Sequence, residues 1–213
     1  MKRLSIFALA LVAILGLAAC SDDVTSPDNA MDKNSMGMDS SRRAPAPGGM
    51  TIAEIADAEG FTLLLGAVNY IAETNPESPL VAGLLDRNQY TVFAPTDDAF
   101  VALVEAVAGN LDPDILEQDG PFAAIDAWLG MGTIEAVVSY HVTEGRRASN
   151  SVVPKNNDRV IETLLEGATF SVSSDAMITA VGNTAMIEAA DISASNGIIH
   201  VISAVILPVD LGL

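Results

Sequence analysis

"SNGIIHVISAVILP" (residues 195–208) decides how the rest of the chain is read. Asn196-Gly197 is a turn-forming pair suited to φ > 0, and the run after it is apolar at nearly every position. Ile198, His200, Ile202, Ala204 and Ile206 fall on one face of an extended strand, and Ile199, Val201, Val205 and Leu207 on the other. With both faces apolar, the spacing predicts a central strand buried on both sides and ending at Pro208. His200 is one of only 2 histidines. In these surroundings it reads as a neutral core residue hydrogen-bonded to backbone or to another side chain. Metal binding and direct partner contact are the competing roles.

A central strand needs neighbours, and the segments upstream supply them. "RVIETLL" (159–165), "ATFSVSS" (168–174), "AMITAVG" (176–182) and "TAMIEAADI" (184–192) are short, rich in β-formers and separated by turn residues. "QYTVFA" (89–94) is an earlier strand that must pair non-locally. Between 50 and 142 the pattern is otherwise helical. Thr51-Ile52-Ala53-Glu54 has the capping-box spacing, Ser78-Pro79 and Asp112-Pro113 read as helix starts, and Thr96 caps a helix through "DDAFVALVEAVA". Asp97 and Asp98 then complement that helix's dipole, and "TIEAVVSYHV" (133–142) reads as one more helix. Helices first and strands afterwards predict a single α+β domain over 50–213, with no internal repeat.

The N-terminus reads as processing signal rather than fold. Lys2 and Arg3 precede a short apolar stretch, Leu4 to Leu17, which is shorter than the ~20 residues a membrane-spanning helix needs. Leu17-Ala18-Ala19-Cys20 resembles the lipobox of bacterial lipoproteins, which makes 1–19 the signal peptide and Cys20 the lipidated residue; an ordinary secretory signal is the alternative. Cys20 is the only cysteine, so no disulfide forms within the chain. Residues 20–49 are rich in Ser, Asp, Pro and Gly and lack any aromatic, which predicts a disordered tether. A flexible chain of that length averages roughly 30 Å end to end. These features place the protein in the cell envelope, anchored to the outer membrane with Ser21 as a sorting residue, facing either the periplasm or the exterior.

The 28 acids and 10 bases leave a net charge of −18, which repels phosphate backbones and argues against a nucleic-acid partner. Five bases fall in 50–213, and four of them (Arg146, Arg147, Lys155 and Arg159) stand together as a candidate site for an anionic glycan or acidic partner. A solvated loop guarding a sheet edge is the alternative. No catalytic or phosphate-binding motif is present, no cofactor is implied, and isolated histidines give no zinc site.

"TVFAPTDDAF" (91–100), "YHV" (140–142) and "SNGIIHVISAVILP", in that order, resemble the conserved segments of fasciclin domains. The resemblance implies an α+β wedge with about seven strands and a non-catalytic role in adhesion to surface protein, matrix or polysaccharide. It marks Thr96, Asn196, Gly197 and His200 as motif residues. It also puts Tyr140-His141 and Asp191-Ile192 at positions associated with partner recognition in some animal members, although His141 can serve as a structural helix C-terminal residue and Asp191 can simply end a strand. Ser203 departs from the acidic or amide residue usual there, which puts that side chain's hydrogen bond in doubt. The rival functions are a periplasmic small-ligand carrier, which requires an apolar cavity, and a two-carboxylate glycan hydrolase.

Overall fold

The computed structural model describes residues 45–85 and 88–212. The expected signal peptide, Cys20, most of the tether and Arg87 therefore lie outside the described residues.

The chain forms α1 (Ile52–Ala58), α2 (Thr62–Thr74), α3 (Pro79–Leu85), β1 (Tyr90–Pro95), α4 (Asp97–Val107), α5 (Pro113–Gln118), α6 (Gly120–Leu129) and α7 (Thr133–Tyr140). Then follow β2 (Val142–Glu144), α8 (Ser149–Val152), β3 (Arg159–Glu162), β4 (Thr169–Val172), β5 (Met177–Thr179), β6 (Thr184–Ala194) and β7 (Gly197–Ile202). The fold is α+β, as the order of sequence signals predicts. The seven strands make one mixed sheet in the order β2-β1-β7-β6-β5-β4-β3, and only β1 and β7 are parallel.

Local chemistry starts the helices, but not always from the adjacent residue. The capping box of α1 is complete: Thr51 Oγ1 accepts from Glu54 N, and Thr51 N donates to the Glu54 carboxylate. Thr96 Oγ1 accepts from Ala99 N, and Asp112 Oδ1 from Asp114 N. By contrast, α2, α7 and α8 begin after Phe61, Gly132 and Ala148, none of which makes a side-chain cap. Their free N–H groups are met by carboxylates from elsewhere. Asp97 accepts from Leu63 N at 2.9 Å, Asp126 from Ile134 N at 2.9 Å, and Asp191 from Ser149 N at 2.7 Å. Asp97 thus serves α2 as well as lying in the first turn of its own helix. The break between α5 and α6 falls at Gly120, whose φ of +84° suits glycine, followed by Pro121.

The centre of the sheet is buried on both faces, because core residues lie on each side of it. Ile199 packs with the helices, among Ala67, Ile71, Val107 and Val138. Phe93 and Ile202 pack on the opposite side with Tyr140, Phe170, Ile178 and Ile206. Strand β6 is long enough to pair with β5 through Thr184–Met186 and with β7 further on, and register shifts between Ile187 and Ile192 separate the two stretches. Such bulges bend a strand.

Two expectations for the opening stretch need correction. Ala194 pairs with Gly197, so the two-residue connection is Ser195-Asn196, and neither Asn196 nor Gly197 has positive φ. Glycine is required at 197 for close approach instead. A Cβ there would lie 2.2 Å from the Tyr90 carbonyl oxygen of β1. The strand also stops at Ile202 rather than Pro208. Beyond it, side chains replace the ladder: Ile206 N donates to His141 Nε2 at 3.0 Å and Leu207 N to Asn183 Oδ1 at 3.0 Å. Ser203 Oγ accepts from Met186 N at 2.9 Å, so a hydroxyl supplies an acceptor at the position where the family's usual acid or amide is missing.

Candidate binding surface at the β6 bulge

Several of the sequence-derived candidates converge where the β6 bulge meets the 145–150 loop. Asp191 has φ +64°, the left-handed conformation that an Asp tolerates better than a β-branched residue. This twist sends its carboxylate to Ser149, accepting from Ser149 N at 2.7 Å and from Ser149 Oγ at 2.5 Å. Its own N–H donates to His200 Nδ1 at 3.3 Å. The other ring nitrogen of His200, Nε2, donates to the Arg147 carbonyl at 2.9 Å. The imidazole is therefore neutral, completely buried and in contact with Phe93, its register partner on β1. Burial pushes its pKa below the ordinary histidine range, against the opposing pull of the Arg147 carbonyl and the Asp191 charge. Asp191 does not simply end a strand. It couples β6, β7 and α8 at one point.

Arg146 is committed inward. Its guanidinium donates to the carbonyls of Pro45, Ala46, Ala194 and Gly197 and to Ser193 Oγ. Gly48 N also donates to the Ala194 carbonyl, and a Cβ at Gly48 would lie 2.1 Å from the Ser193 oxygen. Residues 45–49, expected as the end of the tether, thus lie against the β6–β7 hairpin, and the folded unit starts before Met50. The expected four-base cluster is correspondingly divided. Arg147 is half-buried with Nε donating to the Glu144 carbonyl, while Lys155 and Arg159 are exposed further along.

Tyr140 and His141 stand apart from this surface. They are 0% and 2% exposed, so neither side chain is available to a partner in this structure. Tyr140 Oη donates to the Thr169 carbonyl at 2.7 Å, tying α7 to β4. His141 Nδ1 donates to the Val137 carbonyl at 2.7 Å while Nε2 accepts from Ile206 N. With both nitrogens used and the ring buried, desolvation lowers its pKa to about 4. Ile192 is half-buried and packs on the helical core. At the bulge itself, Glu188, Ala189 and Ala190 are the exposed residues.

Among the described residues no three of His, Cys, Asp and Glu gather as metal ligands, and Asp97, Asp126 and Asp191 are occupied as helix caps. A family model described as "Fasciclin domain" matches residues 67–208. The chain belongs to the fasciclin domain family. Fasciclin domains are generally non-catalytic binding modules associated with adhesion. The chain is 33% identical over 167 residues to "Protein sll1483" of Synechocystis sp., covering 78% of each. It is also 26% identical to "Immunogenic protein MPB70" of Mycobacterium bovis, over 98% of this chain and 99% of that one. Among solved structures, a fasciclin domain pair from the insect cell adhesion molecule Fasciclin I aligns with TM-score 0.45 at 18% identity, over 68% of this chain and 45% of that one.

Sequence reasoning missed Asp126, the Arg146 staple and the Ser149–Asp191 link. A usable signal existed in part: Phe61, Gly132 and Ala148 precede helices and have no acceptor of their own, so each helix start needs one from a distant residue.

Proposed function

We propose that this fasciclin domain is a lipid-anchored, non-catalytic binding module of the cell envelope, probing a surface protein or polysaccharide from a tether ending at Cys20. The observation that carries the reading is the β6 bulge. Asp191, in the left-handed conformation, links the exposed Glu188–Ala190 bulge to the Arg147 loop through Ser149 and His200, and a preformed surface binds with less ordering cost. Among the described residues, Arg147, Lys155 and Arg159 are the cations left to meet an anionic glycan or acidic partner, since the Arg146 guanidinium is taken up by backbone carbonyls.

The experiment is a pull-down and glycan-array screen at two salt concentrations. It uses the chain from residue 20 onward with Cys20→Ser, compared with the same chain carrying Arg147→Glu, Lys155→Glu and Arg159→Glu. The expected result is saturable attachment that the triple reversal weakens roughly tenfold at low salt and less at high salt. Equal attachment by both proteins overturns the role of the cations, and no saturable ligand at all overturns the binding-module reading.

A further inference from the structure

A cavity of about 200 Å³ opens between α1, α2 and α3, with its floor on β1, α7 and β2. Leu64, Val92, Val138 and Val142 form the apolar floor, and all are buried. The space exists because alanines stand where larger residues would close it: Ala53 and Ala56 on α1 and Ala72 on α2. Val68, Asn69 and Val81 form a lip, with Asn69 exposed. Apolar surface left in such a cavity forgoes packing contacts, and a single larger side chain at one of these alanines would fill part of it.

We infer that this cavity is a binding site for a small neutral apolar molecule, about one aromatic ring with a single hydrogen-bonding group at the lip. Size and chemistry both lead there. An apolar cavity of roughly 150 Å³ admits benzene, so this one takes a ring with a substituent. No charged side chain lines it among the described residues, so an ionic head group would enter unpaired at a large desolvation cost. His141 reaches the lining, but both its nitrogens are already bonded, to Val137 O and Ile206 N. Among the described residues no buried side-chain nitrogen or oxygen lacks a partner, so the floor awaits no polar ligand group. Among the described lining side chains, only the Asn69 amide, at the mouth, offers a free donor and acceptor to the occupant. The site includes none of the bulge residues, and it is an apolar cavity of the kind that the small-ligand-carrier alternative requires.

The test is titration of the same Cys20→Ser chain with indole, followed by methyl resonances of Leu64, Val92 and Val138, with indole-3-acetate as the charged counterpart. Saturable shifts with indole, and binding of indole-3-acetate weaker by roughly tenfold or more, are expected. Ala72→Leu on α2 and Ala56→Leu on α1 should each lower indole affinity at least about tenfold while leaving the unliganded melting temperature equal or higher. If Ala56→Leu does not fold, Ala72→Leu decides. Absence of saturable shifts, equal binding of the anion, or undiminished binding by a folded plugged variant overturns the proposal. Surface attachment by the plugged variants is expected to remain unchanged, which separates failure here from failure of the binding-module reading.

Discussion

His141 shows how much one buried imidazole can hold. It joins the α7 carbonyl of Val137 to the backbone of Ile206, a segment with no strand partner at that point. The neutral ring with its proton on Nδ1 satisfies both, whereas an imidazolium would lose its acceptor and face Ile206 N–H with another donor. The folded pKa is about 4 and the unfolded value about 6.5, so the unfolded chain binds the proton first as pH falls. The stabilising contribution is therefore complete above about 6.5 and is lost as the pH falls through the window down to 4, below which both states are protonated. Burial shifts His200 in the same direction. Urea melts between pH 7 and pH 4 should show stability declining over that window. His141→Phe should flatten part of the decline while costing about 2–3 kcal/mol at pH 7, because Val137 O and Ile206 N lose their partner. A pH profile unchanged in His141→Phe would count against this assignment.

At the level of elements, distant side chains complete what local sequence leaves open. Asp97 caps α2, Asp126 caps α7, and Asp191 serves α8, so each acid fastens a helix to another part of the domain. Arg146 does the corresponding work for the segment at 45–48, binding carbonyls from that segment and from both strands where they flank the β6–β7 turn. Arg146→Ala should destabilise the domain by about 2 kcal/mol, the range for hydrogen bonds to a charged group. It should also speed hydrogen exchange at Gly48 N, which is bonded to the Ala194 carbonyl, by roughly tenfold or more. Arg146→Lys should recover only part of this, since an ammonium cannot span the same fork of acceptors. Unchanged Gly48 exchange in Arg146→Ala would show that the segment is held by other contacts.

For the whole molecule, charge and anchorage belong together. A domain with net charge −18 is repelled by an anionic membrane surface within about a Debye length, ~8 Å at physiological salt. On the proposed reading, retention at the membrane then depends on acyl chains at Cys20, with no help from surface electrostatics. Cys20→Ser should move the protein from the membrane to the soluble fraction on cell fractionation, and washing with high salt should leave the wild type in place. A membrane-retained Cys20→Ser protein would refute the lipid anchor.

Sequence by itself determined the class of fold, the family and most of the elements, because those depend on near neighbours: the unbroken apolar run that is buried on both faces at 197–202, the capping box at 51–54, Thr96 before its helix. It also exposed His200 as a core residue, through the apolar neighbours on both faces. Tertiary structure decided what the scarce polar groups do. Arg146 stands beside Arg147 in the chain and both are half-buried, yet one guanidinium gathers four carbonyls and the other bonds only to that of Glu144, a difference no composition or spacing encodes. Gly197 is needed for the Tyr90 carbonyl that the parallel β1–β7 pairing brings against it, a contact more than a hundred residues away in sequence. The cavity likewise follows from alanines on two helices facing one another, which becomes visible only when the helices are packed.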